Sequence, residues 1–205
     1  MAGGWEDYFI RGTKVLKNRL GLTDAETLRE AEEKLVYVRI RQLEVEPLDG
    51  NFDYAHYKAI HGYLFQDVYE WAGQERTAPQ GQFMVKAGHA YYPAGPELTK
   101  AAEKLFAGLH KDNLLVGLQR EEFLKKLAEF WGELNVVHSF REGNTRTQAI
   151  FFRELIAHAG YRLDVQKLYR DADLRARFVA ARFHSQDTGD NSRLAAVLGE
   201  MIRDR

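Results

Sequence analysis

Cysteine is absent from the 205-residue chain. That excludes disulfides, iron–sulfur clusters, thiolate zinc sites and cysteine nucleophiles. Proline is scarce and confined, with Pro47, Pro79, Pro93 and Pro96 all in one middle stretch. The proline-free tracts on either side are rich in Leu, Ala, Glu, Lys and Arg, so they keep every backbone donor and favour helix. No apolar run reaches the roughly 18 residues of a membrane span, and the start MAGGWEDYF lacks a basic-then-apolar signal pattern. Nor is there a surplus of one charge: 29 Lys and Arg against 30 Asp and Glu leave −1. A general nucleic-acid binder carries a basic excess, so no nucleic-acid partner is expected, although a local anion site stays compatible. Repeats and low-complexity runs are missing too. What is present is 45% hydrophobic and 12% aromatic residues, enough to bury a sizeable core. The expectation is one soluble, intracellular domain over residues 1–205.

After a short aromatic arm (Trp5, Tyr8, Phe9), Thr23 and Glu26 form a capping-box pattern that predicts a helix through about Val45, with Leu28, Ala31, Leu35 and Val38 on its apolar face. A second helix is predicted from about Asp53 to Trp71, with the aromatics between Tyr54 and Trp71 spaced as core. Between Glu75 and Pro96, two extended pieces, Gln82–Lys86 and His89–Tyr92, flank Ala87-Gly88 and predict a small hairpin, with a long irregular loop as the alternative. Helices are then expected over about Glu97–Leu109, Glu121–His138, Thr145–Ala159, Val165–Phe183 and Asn191–Arg203.

The segment that carries chemistry is His138-Ser-Phe-Arg-Glu-Gly-Asn-Thr-Arg146, a loop between two helices with Asn144 expected as N-cap. A helix start presents free N–H groups and the positive end of the macrodipole, which suit a phosphate. Gly143 permits close backbone approach, and Arg146 in the first turn adds a charge-assisted donor. Glu142 is one carboxylate beside that anion site, the usual arrangement for Mg²⁺ shared with substrate phosphates. His138 is a candidate general base, since its intrinsic pKa lies near neutrality. Taken singly, His138 also reads as a histidine satisfied by core packing, and Glu142 or Arg146 as a solvated charge. Zinc is not expected, because His56 and His61 at i, i+5 do not share a helix face. There is no nucleophile elbow and no P-loop.

HSFREGNTR resembles the Fic-domain signature, H-x-F-x-(D/E)-G-N-G-R-x-x-R, with matches at His138, Phe140, Glu142, Gly143, Asn144 and Arg146. LKNRLG (16–21), LFQDVYEWAGQERT (64–77) and MVKAG (84–88) are also similar to segments of Fic proteins. The resemblance implies an all-α fold, a Fic-type helical bundle with a small β-hairpin flap over about residues 75–96 and a core motif at 138–149. It implies transfer of AMP from ATP to a Ser, Thr or Tyr hydroxyl of a target protein, as a toxin or an effector. His138 would be the base, Glu142 the Mg²⁺ holder, and Gly143, Asn144, Thr145 and Arg146 the phosphate cradle. Phe140 would pack the loop onto the core. Lys86 would lie near the nucleotide, and Met84, Val85 and Lys86 would dock an extended target segment. No (S/T)-x-x-x-E-(G/N) inhibitory helix stands at either end, so the resemblance implies either a small inhibitory antitoxin protein as partner or no such inhibition. The implied setting is the cytoplasm, or a host cytoplasm for a delivered effector.

Two positions depart from the signature. Thr145 replaces the second motif glycine, and Ala149 the final arginine, which in the family grips the γ-phosphate. Arg153, one turn further along, is either a substitute phosphate contact or half of an ion pair. The departures keep open a second reading, a Fic-fold binding module with weak or no AMP transfer, and a third, a different nucleotide donor.

Overall fold

Asp24 opens the first long helix. Its carboxylate accepts the Thr27 N–H at 2.8 Å, so the cap of α1 (Ala25–Val45) lies one residue after Thr23, the residue expected to cap it. The structure, a computed structural model, describes residues 4–204. The buried stripe of α1 is Leu28, Glu32, Val36 and Leu43, while Val38 is exposed. The expected face was rotated because a glutamate occupies one of the inward positions.

Asp53 caps α2 (Tyr54–Phe65) by accepting the His56 N–H at 2.7 Å. This helix ends six residues before the expected Trp71. Val68 and Tyr69 beyond it are still buried, so apolar spacing continues past the helix end and conceals it. The expected hairpin is present: β1 (Met84–Lys86) and β2 (His89–Tyr91) pair antiparallel, with Val85 opposite Ala90. Its turn uses positive φ at Ala87 and Gly88, the geometry that two-residue hairpins need.

The helices resume with α3 (Pro96–Lys111), α4 (Arg120–Val137) and α5 (Asn144–His158). Of these, α5 is central: Phe151, Phe152, Leu155 and Ile156 are fully buried, and Trp131 stacks on Phe152 at 3.8 Å. The single helix expected over 165–183 is two, α6 (Gln166–Arg170) and α7 (Ala172–Thr188). Asp171 separates them by capping the Leu174 N–H, a local bond that competes with helix continuation. The last helix, α8 (Ser192–Met201), stops short of Arg203 because residues 202–204 form β4, antiparallel to β3 (Tyr161–Leu163). The fold is all-α, with two small antiparallel strand pairs among the described residues. Among the described residues no helix is long and apolar enough to cross a membrane.

Candidate active site

His138 is the C-cap of α4 and sits in the left-handed region, at φ 47° and ψ 58°. This reverses the chain into the loop that leads to α5, at a cost of about 1–2 kcal/mol for a residue with a Cβ. Its ring lies 4.5 Å from that of Tyr91 in β2, and its Nδ1 is buried without a hydrogen-bond partner. Burial, and then the charges of Lys86, Arg76 and Arg182, push its pKa down to about 3. The imidazole is therefore neutral at physiological pH, with a lone pair to accept a proton.

Three devices shape the loop. Asn144 is buried and closes it on itself, accepting the Phe140 N–H at 3.0 Å and donating to the Phe140 carbonyl at 2.7 Å. The N-cap of α5 is thus Gly143 rather than the expected Asn144, whose side chain is fully engaged within the loop. Gly143 has φ 82°, and a Cβ there would lie 2.3 Å from the Phe65 ring. Only glycine fits. Phe140 is fully buried and stacks on His61 at 3.7 Å. His61 accepts the Gly73 N–H at Nδ1, so its Nε2 carries the proton and donates to the Glu142 carbonyl at 3.0 Å.

At the start of α5 the backbone N–H groups of Asn144, Thr145 and Arg146 have no acceptor among the described residues, the usual condition of a first turn. Thr145 is exposed and lies inside the helix without positive φ, so the position tolerates a β-branched residue. The Arg146 guanidinium is 4.8 Å above the Phe65 ring. It pairs with Glu32 of α1 at 2.5 Å and lies 3.9 Å from Glu142. Glu32 also accepts from the Tyr69 hydroxyl. Glu142 is more than a third exposed; its Oε1 takes the Gly143 N–H at 3.0 Å, and its Oε2 has no partner among the described residues. Arg153 does not join this group. Its guanidinium donates to the Leu43 carbonyl at 3.1 Å and pairs with Glu44 at 3.3 Å, the ion-pair alternative of the sequence reading.

The segment 138–146 contributes side chains to two clefts. One, of about 500 Å³, has Glu142, Arg146, Glu32 and Tyr69 in its walls. The other, of about 650 Å³, has His138, Arg141, Trp5 and the β1 residues Met84, Val85 and Lys86. Lys86 therefore faces the cleft of His138 rather than that of Arg146. On the hairpin, β2 is anchored to α7: His89 stacks on Phe183 at 3.8 Å, and Gln186 donates to the Ala90 carbonyl at 2.5 Å. The outer edge of β1 is unpaired among the described residues.

Sequence reasoning missed two contributors. Arg76 is 1% exposed and donates to the carbonyls of His138, Ala78, Tyr92 and Val137, tying the end of α4 to the base of the hairpin. Nothing but its place in the Fic-like run 64–77 distinguished it. Glu32 carried a clearer signal, since it falls midway between Leu28 and Val36 at i±4.

The Fic/DOC family profile matches residues 51–156. The chain is 40% identical to a probable protein adenylyltransferase of Sinorhizobium fredii, over 93% of both chains. It is 34% identical to the probable protein adenylyltransferase Fic of Salmonella typhimurium, over 97% of this chain and 93% of that one. Among solved structures, the N-terminal Fic domain of a putative cell filamentation protein from Bartonella quintana, with ADP bound, superposes with a TM-score of 0.86 at 26% identity, covering 98% of this chain and 96% of that chain. The BepC effector protein of Bartonella tribocorum, with AMPPNP bound, superposes at 0.84 and 26% identity, covering 98% of each. On the match of the family profile over half its length and the likeness to full-length relatives, the chain belongs to the Fic/DOC family.

Proposed function

We propose that this chain is a protein adenylyltransferase, which moves AMP from ATP to a hydroxyl of a target protein. The observation that carries the reading is the juxtaposition of a neutral imidazole, His138, with the open N–H groups and the arginine that begin α5, across one short loop. The unpaired N–H groups of residues 144–146 and the Arg146 guanidinium would hold the phosphates. His138 would take the proton of the acceptor hydroxyl as its oxygen bonds to the α-phosphorus and the bond to the pyrophosphate oxygen breaks. A base at pKa about 3 is weak, but the negative charge of a polyphosphate beside it offsets the surrounding cations and raises it. Relatives named protein adenylyltransferases, and Fic structures holding ADP and AMPPNP, support the reading.

Mg²⁺ fits as a substrate-borne ion. No group of three acidic or histidine side chains able to hold a metal occurs among the described residues, whereas Glu142 offers a free Oε2 next to the phosphate site. One carboxylate plus phosphates is the common Mg²⁺ arrangement. When bound, the ion would neutralise charge on the leaving pyrophosphate. A hydroxyl-bearing target would lie along β1. Delivery into a host cell is supported by the VirB-translocated Bartonella effectors among the similar structures.

The test is incorporation of label from α-labelled ATP into lysate proteins with Mg²⁺, for the wild type and His138→Ala. Loss of a general base costs about 10²–10⁴ in rate. Labelling should vanish while the melting temperature is nearly kept. Undiminished labelling would remove His138 from its role. A specific observation favours a second reading: Arg146 is already paired with Glu32, and position 149 is alanine, so a nucleotide would find fewer charged contacts here. Absence of labelling by the wild type, with target binding intact, would identify a binding module.

A further inference from the structure

The two clefts beside the loop differ in charge. In the Arg146 cleft each arginine faces carboxylates: Arg146 is paired with Glu32, and Arg29 with Glu26 and Glu33. The His138 cleft contains Lys86 and Arg141 but no Asp or Glu among its described lining residues. Neither cation has a hydrogen bond or an ion pair to a carboxylate among the described residues. Lys86 is exposed on β1. Arg141 is held by the aromatic arm, its guanidinium 4.2 Å from the Trp5 ring, 5.2 Å from Phe9 and 5.7 Å from Tyr8. Its Nε is buried and has no acceptor. Ring contacts fix the side chain without using its N–H donors, so a carboxylate reaching it meets a guanidinium whose freedom is already restricted.

We propose that Arg141 and Lys86 form a carboxylate subsite in the docking cleft, which selects target segments carrying Asp or Glu two residues from the acceptor hydroxyl. The occupant is a protein segment in extended form, added to the free edge of β1. In such a strand alternate side chains share a face, so a segment that turns its hydroxyl toward His138 turns residues two before and two after into the same cleft. Those positions meet the two unpaired cations. The identity of the central hydroxyl rests on the AMP-transfer reading above; the charge preference of the cleft does not.

Two fluorescein-labelled peptides, Glu-Ala-Ser-Ala-Glu and Gln-Ala-Ser-Ala-Gln with identical flanks, test this by anisotropy without nucleotide. The Glu peptide should bind about tenfold tighter at low ionic strength, and salt should narrow the gap. Arg141→Gln should remove most of the difference. Lys86 is exposed, so Lys86→Glu keeps the fold and carries the test even where Arg141→Gln does not; it should make a Lys-bearing peptide the better ligand. Equal binding of the two peptides, no binding of either at millimolar concentration, or a preference that survives Lys86→Glu would overturn the subsite. Because no transfer is read, failure of AMP transfer leaves this result intact. Conversely, lost peptide preference with intact labelling in lysate defeats the subsite alone.

Discussion

Arg76 donates through Nε to the carbonyl of His138 at 2.8 Å, from a guanidinium that is buried and bonded to carbonyls rather than to any carboxylate among the described residues. Burial pushes its pKa down to about 10, so it stays charged at neutral pH. A buried cation balanced by carbonyl dipoles is a costly element, and its bonds join the left-handed turn at His138 to the carbonyls of Ala78 and Tyr92. Arg76→Met should therefore destabilise the protein by about 2–4 kcal/mol in urea unfolding, the loss of several charge-assisted bonds offset by removal of a desolvated charge. A change within about 0.5 kcal/mol would mean that the turn is held by other contacts.

The ion pair of Arg146 with Glu32 predicts the opposite directions for stability and binding. Glu32 is nearly buried and has two partners, Arg146 and the Tyr69 hydroxyl. Glu32→Gln keeps the shape and a hydrogen-bonding end but removes the charge that competes for Arg146. Stability should fall by about 1–3 kcal/mol, while ATP should bind several-fold tighter by calorimetry. Unchanged or weaker ATP binding would show that Glu32 orients Arg146 rather than neutralising it.

His61 sets a pH dependence. It is fully buried, and burial, opposed by the Glu142 carbonyl and aided by the charge of Arg146, lowers its pKa from the ordinary 6.5 to about 3. The folded protein thus keeps a neutral ring where the unfolded chain takes up a proton. Stability is complete above about pH 6.5 and is lost as pH falls toward 3, at about 1.4 kcal/mol per pH unit for this group. His138 shifts in the same direction, so His61→Gln should about halve their combined slope between pH 6 and 4. Urea midpoints measured across that range in both proteins decide it.

Val85 lies at the middle of the outer strand of the hairpin. Lys86 and His89 close a two-residue turn and exchange both backbone bonds, so the next pair, Val85 and Ala90, points its N–H and C=O groups outward. The bond from Gln186 to the outward Ala90 carbonyl agrees with this. Val85→Pro should leave the hairpin and ATP binding in place and reduce target modification at least about tenfold by removing the one edge donor. Equal loss of ATP binding would assign β1 to the nucleotide pocket.

Much of this architecture was legible in the sequence because the decisive residues obey local rules. Gly143 and the 138–146 spacing, the Ala87-Gly88 turn and the long apolar helices each act within a few residues. What was not legible depends on pairing across the chain. Glu32 breaks the apolar period of α1 because its partners, Arg146 and Tyr69, are supplied by distant segments. The β3–β4 pair escaped notice because each strand spans three residues next to a helix, too short for alternation to register. Asn144 is of a residue type that favours capping; its side chain instead closes the loop, which only the three-dimensional turn at Gly143 allows. Arg76 looked like any loop arginine, since carbonyl partners leave no mark on sequence.

Ala149 offers the sharpest test of how nucleotide is held. It lies on α5 three residues after Arg146, and so on nearly the same face, about 4.5 Å along the axis. Arg153, the nearest cation further along, is tied to Glu44 and the end of α1, so it leaves the outer phosphate without a partner from this helix. ATP and ADP should therefore bind the wild type with similar affinity. Ala149→Arg places a guanidinium one turn beyond Arg146, with the side chain leaning toward the helix start where the phosphates would sit. ATP binding should tighten by roughly 1–3 kcal/mol while ADP changes little, because only the outermost phosphate gains a charge-assisted contact. Transfer should rise as well, if placement of the triphosphate limits in-line attack at the α-phosphorus. Calorimetry with both nucleotides separates these effects from the Glu32 pairing, which acts on Arg146 for ATP and ADP alike. Strong ATP preference in the wild type that Arg153→Ala abolishes would place Arg153 on the phosphate after all. An ATP affinity raised by Ala149→Arg without any labelling of lysate proteins would point to the acceptor hydroxyl, rather than the nucleotide, as the element that this chain does not engage.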